Sequence, residues 1–357
     1  MKQLIYLFLF FFCFSLSLSA QSESCRALLQ AVKKGDQTKV AQLLKTTSPN
    51  CSYRGDGEPR SPLGAAARAG DLAMGKLLLQ KGAQVTYKGS GDASALMLAV
   101  ESKNLEFVKF LVRNGAKVNR KVKGDGTALL TAAKVGNVSI IQYLIEQGAD
   151  VNGTVYGDGS PLIAAVKRKN LRAVEILVDN GAKPDLYVSG DESPLYHAVK
   201  SRSMSILKVL LSADNVNVNA DLAGDGNLLI QAAQTGDLAL VNVLIEAGAD
   251  VNKGVKGDGN PLIQAAKKGH LEIAKQLVSN GAEIDAHVIG DETPLINAAR
   301  YGHLSMVKYL VEKGADVNKA VRDGYVMRSE KRSPLLMARR GGHKKVAEYL
   351  VMNGAKE

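Results

Sequence analysis

Tryptophan is absent from the 357 residues, and aromatic residues as a whole make up only 5%. Without rings interleaved among its basic residues the chain lacks the stacking platforms that hold single-stranded nucleic acid. That removes the partner which a formal net charge of +11 would otherwise suggest. The five histidines, His197, His270, His287, His303 and His343, are scattered. No His-Glu-x-x-His pair offers a zinc site with its base, and no Gly-x-Ser-x-Gly elbow presents a nucleophile. Gly124-Asp125-Gly126 runs into Thr127-Ala128-Leu129 without the third glycine of a dinucleotide loop. The sequence therefore predicts no enzyme and no cofactor. Past the first twenty residues no apolar run approaches the length of a membrane span, about 20 residues.

What the chain has is a period. A Ser/Thr/Asn followed by Pro, Ala or Leu and then Leu begins at Ser61, Ser94, Thr127, Ser160, Ser193, Asn227, Asn260, Thr293 and Ser333, at intervals of 33, 33, 33, 33, 34, 33, 33 and 40 residues. A unit of this size cannot bury its own apolar face, so neighbours must stack to share a core. In the unit beginning at Ser160, Leu162, Ile163, Ala165 and Val166 are spaced for one short helix, and Leu171, Val174, Ile176, Leu177 and Val178 for a second. The Lys167–Asn170 link allows only a tight antiparallel turn. Gly181 suits the left-handed residue that ends a helix, and Ser193-Pro194 suits the cap and first turn of the next.

Ser160-Pro161-Leu162, Gly269-His270-Leu271-Glu272-Ile273 and Gly148-Ala149-Asp150-Val151-Asn152 carry a resemblance to the ankyrin repeat, over about residues 22–357. The resemblance implies an all-α solenoid of about ten helix-turn-helix units with β-hairpin loops, and a concave groove that holds protein partners. The histidine that usually follows Pro-Leu in this family is missing; Ile163, Tyr196, Ile230, Ile263, Ile296 and Leu336 take its place.

Residues 1–20 stand outside the period. Lys2, an apolar run from Leu4 to Phe14 and small residues up to Ala20 form the layout of a secretory signal peptide cut after Ala20. The expected location is therefore the periplasm or the cell exterior, and the expected mature protein is a monomer with no membrane span. The first and last units, about 22–60 and 333–357, read as caps, because Gln37 and Lys344 occupy a second-helix position that is apolar between them. Cys25 and Cys51 fall at adjacent ends of the first helix pair, and an oxidising compartment predicts a disulfide there; two free thiols are the alternative. Asn-x-Ser/Thr sites at Asn50, Asn137 and Asn152 matter only in a glycosylating host.

Charge is patterned as well. The first helices end in Lys33, Arg68, Glu101, Lys134, Lys167, Lys200, Gln234, Lys267, Arg300 and Arg340, and Lys34, Arg168, Lys169, Arg202 and Lys268 thicken this stripe. Two readings stand: a track for an acidic partner, or cations that complement helix C-termini. An anionic polymer or glycan would use the same track. Tyr301, beside Arg300, and Tyr325 and Arg328, in a final loop seven residues longer than its counterparts, are residue types that anchor interfaces. A ladder of acids, Asp56, Asp92, Asp125, Asp158, Asp191, Asp225, Asp258, Asp291 and Asp323, reads as turn chemistry beside glycine and is taken to lie opposite the stripe. One carboxylate per unit falls short of the six to eight oxygens that calcium takes.

Overall fold

The structure, a computed structural model, describes residues 21–53, 61–87, 94–122, 126–222, 226–288, 291–321 and 331–356. The proposed signal segment lies outside them. The described residues hold twenty helices, one spanning residues 21–33 and the others from Gln37–Leu43 to Lys344–Met352. They form two compact runs, residues up to 182 with 188–191, and residues 183–187 with 192–357.

The first run has five helix pairs: residues 21–33 with Gln37–Leu43, Pro62–Ala69 with Leu72–Gln80, Ala95–Glu101 with Leu105–Arg113, Ala128–Val135 with Val138–Glu146, and Pro161–Lys167 with Leu171–Asp179. The second also has five: Pro194–Lys200 with Met204–Leu211, Leu228–Thr235 with Leu238–Glu246, Pro261–Lys268 with Leu271–Ser279, Pro294–Arg300 with Leu304–Glu312, and Pro334–Arg340 with Lys344–Met352. Each helix is too short to persist alone in water, so tertiary packing must stabilise it. In both runs the first helices of successive pairs pack on one another more extensively than the second helices do.

The recurring Ser/Thr/Asn is the N-cap of the first helix in every pair from the second onward. Ser160 accepts a hydrogen bond from the Ile163 amide at 3.2 Å, Asn260 from Ile263 at 2.8 Å and Thr293 from Ile296 at 3.3 Å. Each such cap contributes about 1 kcal/mol. The turn between the helices uses a left-handed residue. Gly35, Gly70, Gly136, Gly236, Gly269, Gly302 and Gly342 supply it in seven pairs, with φ of 70°, 69°, 75°, 77°, 76°, 74° and 72°. In three pairs it is a cation instead: Lys103 at 57°, Lys169 at 55° and Arg202 at 51°. A side chain in that region costs about 1–2 kcal/mol.

Successive pairs are joined by asparagines in the loops. In the first run the Asn119 amide donates to the Gly148 carbonyl and accepts from the Asp150 amide, both at 2.8 Å. In the second, Asn252 does the same with Gly281 and Glu283 at 2.9 and 2.8 Å. The hairpins expected between units are minimal. Asp221–Leu222 pairs antiparallel with Gly226–Asn227, and single bridges join Val122 to Gly126, Val155 to Gly159, Val255 to Gly259 and Val321 to Arg332.

The core is built from small residues on the first helices, such as Ala65, Ala66 and Ala67, and from larger ones on the second, of which Phe107 is fully buried. A Cβ placed on Gly75 would lie 2.6 Å from Phe107 Cζ, so the ring of one pair fills the hollow left by the glycine of the pair before. Cys25 and Cys51 form the disulfide and so close the first pair. The second-helix position used to distinguish caps is a weak marker. It is only partly covered even in interior pairs, and Leu171 and Leu238 are each 36% exposed there. Six of the eight interior residues there are half-buried, whereas Gln37 and Lys344 are exposed.

Candidate partner-binding surface

The basic stripe and the acidic ladder meet instead of lying opposite one another. Lys134 Nζ donates to Asp158 Oδ1 and Lys167 Nζ to Asp191 Oδ1, in each case 24 residues further along. The reason is geometric: a long side chain on a helix leans back toward the N-terminus, which here carries it to the loop that enters the next pair. Arg68 likewise donates to Glu101 of the following pair at 3.3 Å. Each pair is partly exposed, so each is worth less than about 1 kcal/mol. Three cations of the first run are thereby neutralised within the chain.

The second run uses its cations internally too. Lys200 Nζ donates to the Tyr196 hydroxyl at 3.0 Å and sits 5.1 Å over its ring. Arg202 Nη2 donates to the Thr235 carbonyl at 2.8 Å. Glu292, 6% exposed, accepts from Arg300 Nε at 2.8 Å and again from Arg300 Nη2, and from Arg332 Nη1 at 2.9 Å. The carboxylate holds the Arg300 pKa above its usual value. This triad was missed from sequence. Its trace is the Glu at a loop position where Gly126, Gly159, Gly226 and Gly259 stand in other pairs.

Of the other predicted contacts, Lys268 is exposed. Tyr301 is 47% exposed and stacks on His303 with ring centroids 6.4 Å apart. Tyr325 and Arg328 lie outside the described residues. His270, His303 and His343 each cap a second helix by position, and their Nε2 atoms bond carbonyl oxygens of the preceding pair, Gln234 at 3.3 Å, Lys267 at 3.1 Å and Arg300 at 2.9 Å. The three Asn-x-Ser/Thr asparagines are committed as well. Asn50 bonds Gly82 and Gln84, Asn137 caps its helix through Ile140, and Asn152 donates to Gly181. A glycan on Asn50 or Asn152 would displace the donor bond.

Burial raises the Asp291 pKa above 3.8; Lys267 opposes the shift and Asp258 adds to it. A carboxyl that holds its proton more tightly folded than unfolded weakens the fold once pH rises above about 3.8. Asp291→Asn is therefore expected to raise the urea midpoint at neutral pH, and the gain should vanish below the ordinary aspartate range. An unchanged midpoint at pH 7 would contradict that assignment.

Cations whose side chains carry no hydrogen bond or ion pair among the described residues remain at the inter-helix turns of the first run: Lys34 in the first pair, and Lys103, Arg168 and Lys169 further along, all exposed. Lys103 was not singled out from sequence. Its signal is a lysine in the turn slot that glycine holds in the neighbouring pairs.

A family model described as Ankyrin repeats (3 copies) matches residues 28–122, 119–188, 186–254, 229–321 and 262–357. The chain is an ankyrin repeat protein. A search of curated proteins returns no match. Ankyrin repeats typically mediate protein–protein interaction, and in this ankyrin repeat protein no described helix is long and apolar enough to cross a membrane. Among its described residues no group of three His, Cys, Asp or Glu is placed to hold a metal ion.

Proposed function

We propose that this ankyrin repeat protein is a non-enzymatic, monomeric scaffold that acts after export, in the periplasm or outside the cell, and holds a protein partner with an acidic surface. The carrying observation is the set of exposed cations left unpaired at the inter-helix turns of the first run, beside Arg68, Lys134 and Lys167, which acids of the chain already match. Helix pairs fixed by caps, asparagine bonds and a disulfide lose little conformational freedom on binding. The export reading rests on the arrangement of residues 1–20, and a disulfide that closes the first pair fits an oxidising compartment.

The test is affinity capture from envelope and secreted fractions with residues 21–357 as bait. Recovery of one acidic protein, released by salt, is the expected result. Retained polyanionic glycan without protein would replace the protein partner by a polymer. Detection of the unprocessed chain in the cytoplasm alone would overturn the export reading.

A further inference from the structure

We infer that the acidic partner docks as an extended acidic segment along the inter-helix turn edge of the first run, on Lys103, Arg168 and Lys169. The inference rests on the reading just given and narrows it to three side chains. It also moves the contact away from Lys134 and Lys167, whose ammonium groups already lie on Asp158 and Asp191.

Three observations converge. First, these are exposed cations without a partner among the described residues, whereas the neighbouring Arg68, Lys134 and Lys167 are each matched by an acid of the next pair. Second, Lys103 and Lys169 hold left-handed backbone, at φ 57° and 55°, in a slot that Gly70 and Gly136 fill without strain. A lysine retained there gives up stability that glycine would restore, and the surrounding structure uses neither ammonium group. Strain kept at an exposed charged position, with no internal contact to offset it, is how a binding surface differs from a packing solution. Third, the turn segments 101–104, 134–137 and 167–170 contain one acid, Glu101, and Arg68 already matches it. The edge therefore presents net positive charge.

The spacing sets the partner's shape. Lys103 and Lys169 sit two pairs apart, about 20 Å at roughly 10 Å per packed helix layer. An extended chain covers that in about six residues. The turn segments 101–104, 134–137 and 167–170 contain no aromatic residue on which a sugar ring or base would rest. That favours carboxylate side chains of a peptide as the occupant.

The probe is a fluorescein-labelled hexaglutamate peptide, titrated against residues 21–357 by anisotropy at low salt. The triple variant Lys103→Gly, Arg168→Gln, Lys169→Gly is expected to bind about tenfold more weakly while its urea midpoint rises, because glycine relaxes two strained turns. The control Lys134→Gln, Lys167→Gln is expected to change affinity by less than about threefold. Equal binding by parent and triple variant, with loss in the control, would overturn the turn edge yet leave an acidic partner in place. No binding by the parent would overturn both. Dextran sulfate that binds more tightly than the peptide and depends on the same three cations would overturn the peptide as occupant. Weaker binding together with a lowered midpoint would overturn the claim that the lysines are held at the expense of stability.

Discussion

Phe107→Ala is expected to lower stability by about 3–5 kcal/mol, the range for emptying a buried aromatic site. The ring is fully buried, and its tip fills the space over Gly75. Two opposing effects decide the reciprocal change. Gly75→Ala gains about 1 kcal/mol of helix propensity, but its Cβ would stand 2.6 Å from Phe107 Cζ. Overpacking of a filled core costs about 1–3 kcal/mol, so the alanine should destabilise on balance. Combining Gly75→Ala with Phe107→Leu removes the collision and should recover part of the loss. Urea midpoints of the parent, Gly75→Ala, Phe107→Leu and the double variant test this as a double-mutant cycle. Additive effects, with no recovery in the double variant, would show that the two residues do not interlock.

The second large effect belongs to the disulfide. Closing a loop with a sequence separation of 26 residues restricts the unfolded chain by about 3–4 kcal/mol in the chain-entropy model. Cys25→Ser, or reduction with dithiothreitol, is expected to remove that amount from the first helix pair. Because each unit of a repeat array depends mainly on its neighbours, the loss should appear as early opening of residues 21–53. Hydrogen exchange should record faster amide turnover there and little change beyond about residue 194. Uniform acceleration along the whole chain would show that the array unfolds as one cooperative body instead.

The helices, their caps and their turns were legible in the sequence because each obeys a local rule. Ser160 caps Ile163, three residues on, and Gly136 sits in the one conformation that ends its helix. The disulfide was legible for a related reason: an antiparallel pair places its outer ends together. Charge was not legible in the same way. Lys134 and Asp158 are 24 residues apart, and nothing in the spacing tells whether a side chain reaches back to the following loop or out to solvent. Two ladders that looked like separate surfaces meet at two ion pairs, Lys134 with Asp158 and Lys167 with Asp191. The unpaired remainder had to be read from geometry. Lys103 shows the intermediate case, because aligning the turns would have exposed it as a lysine in a glycine slot.

Val321 and Arg332 exchange two backbone hydrogen bonds, at 3.0 and 2.9 Å, across the loop of the 40-residue interval. Ser333 then caps the next helix through Leu336 at 3.2 Å, as the corresponding residues do elsewhere. Surplus chain inside that clasp never reaches the phase of the helices that follow. A change of length between Val321 and Arg332 is thereby uncoupled from the register of the helices on either side.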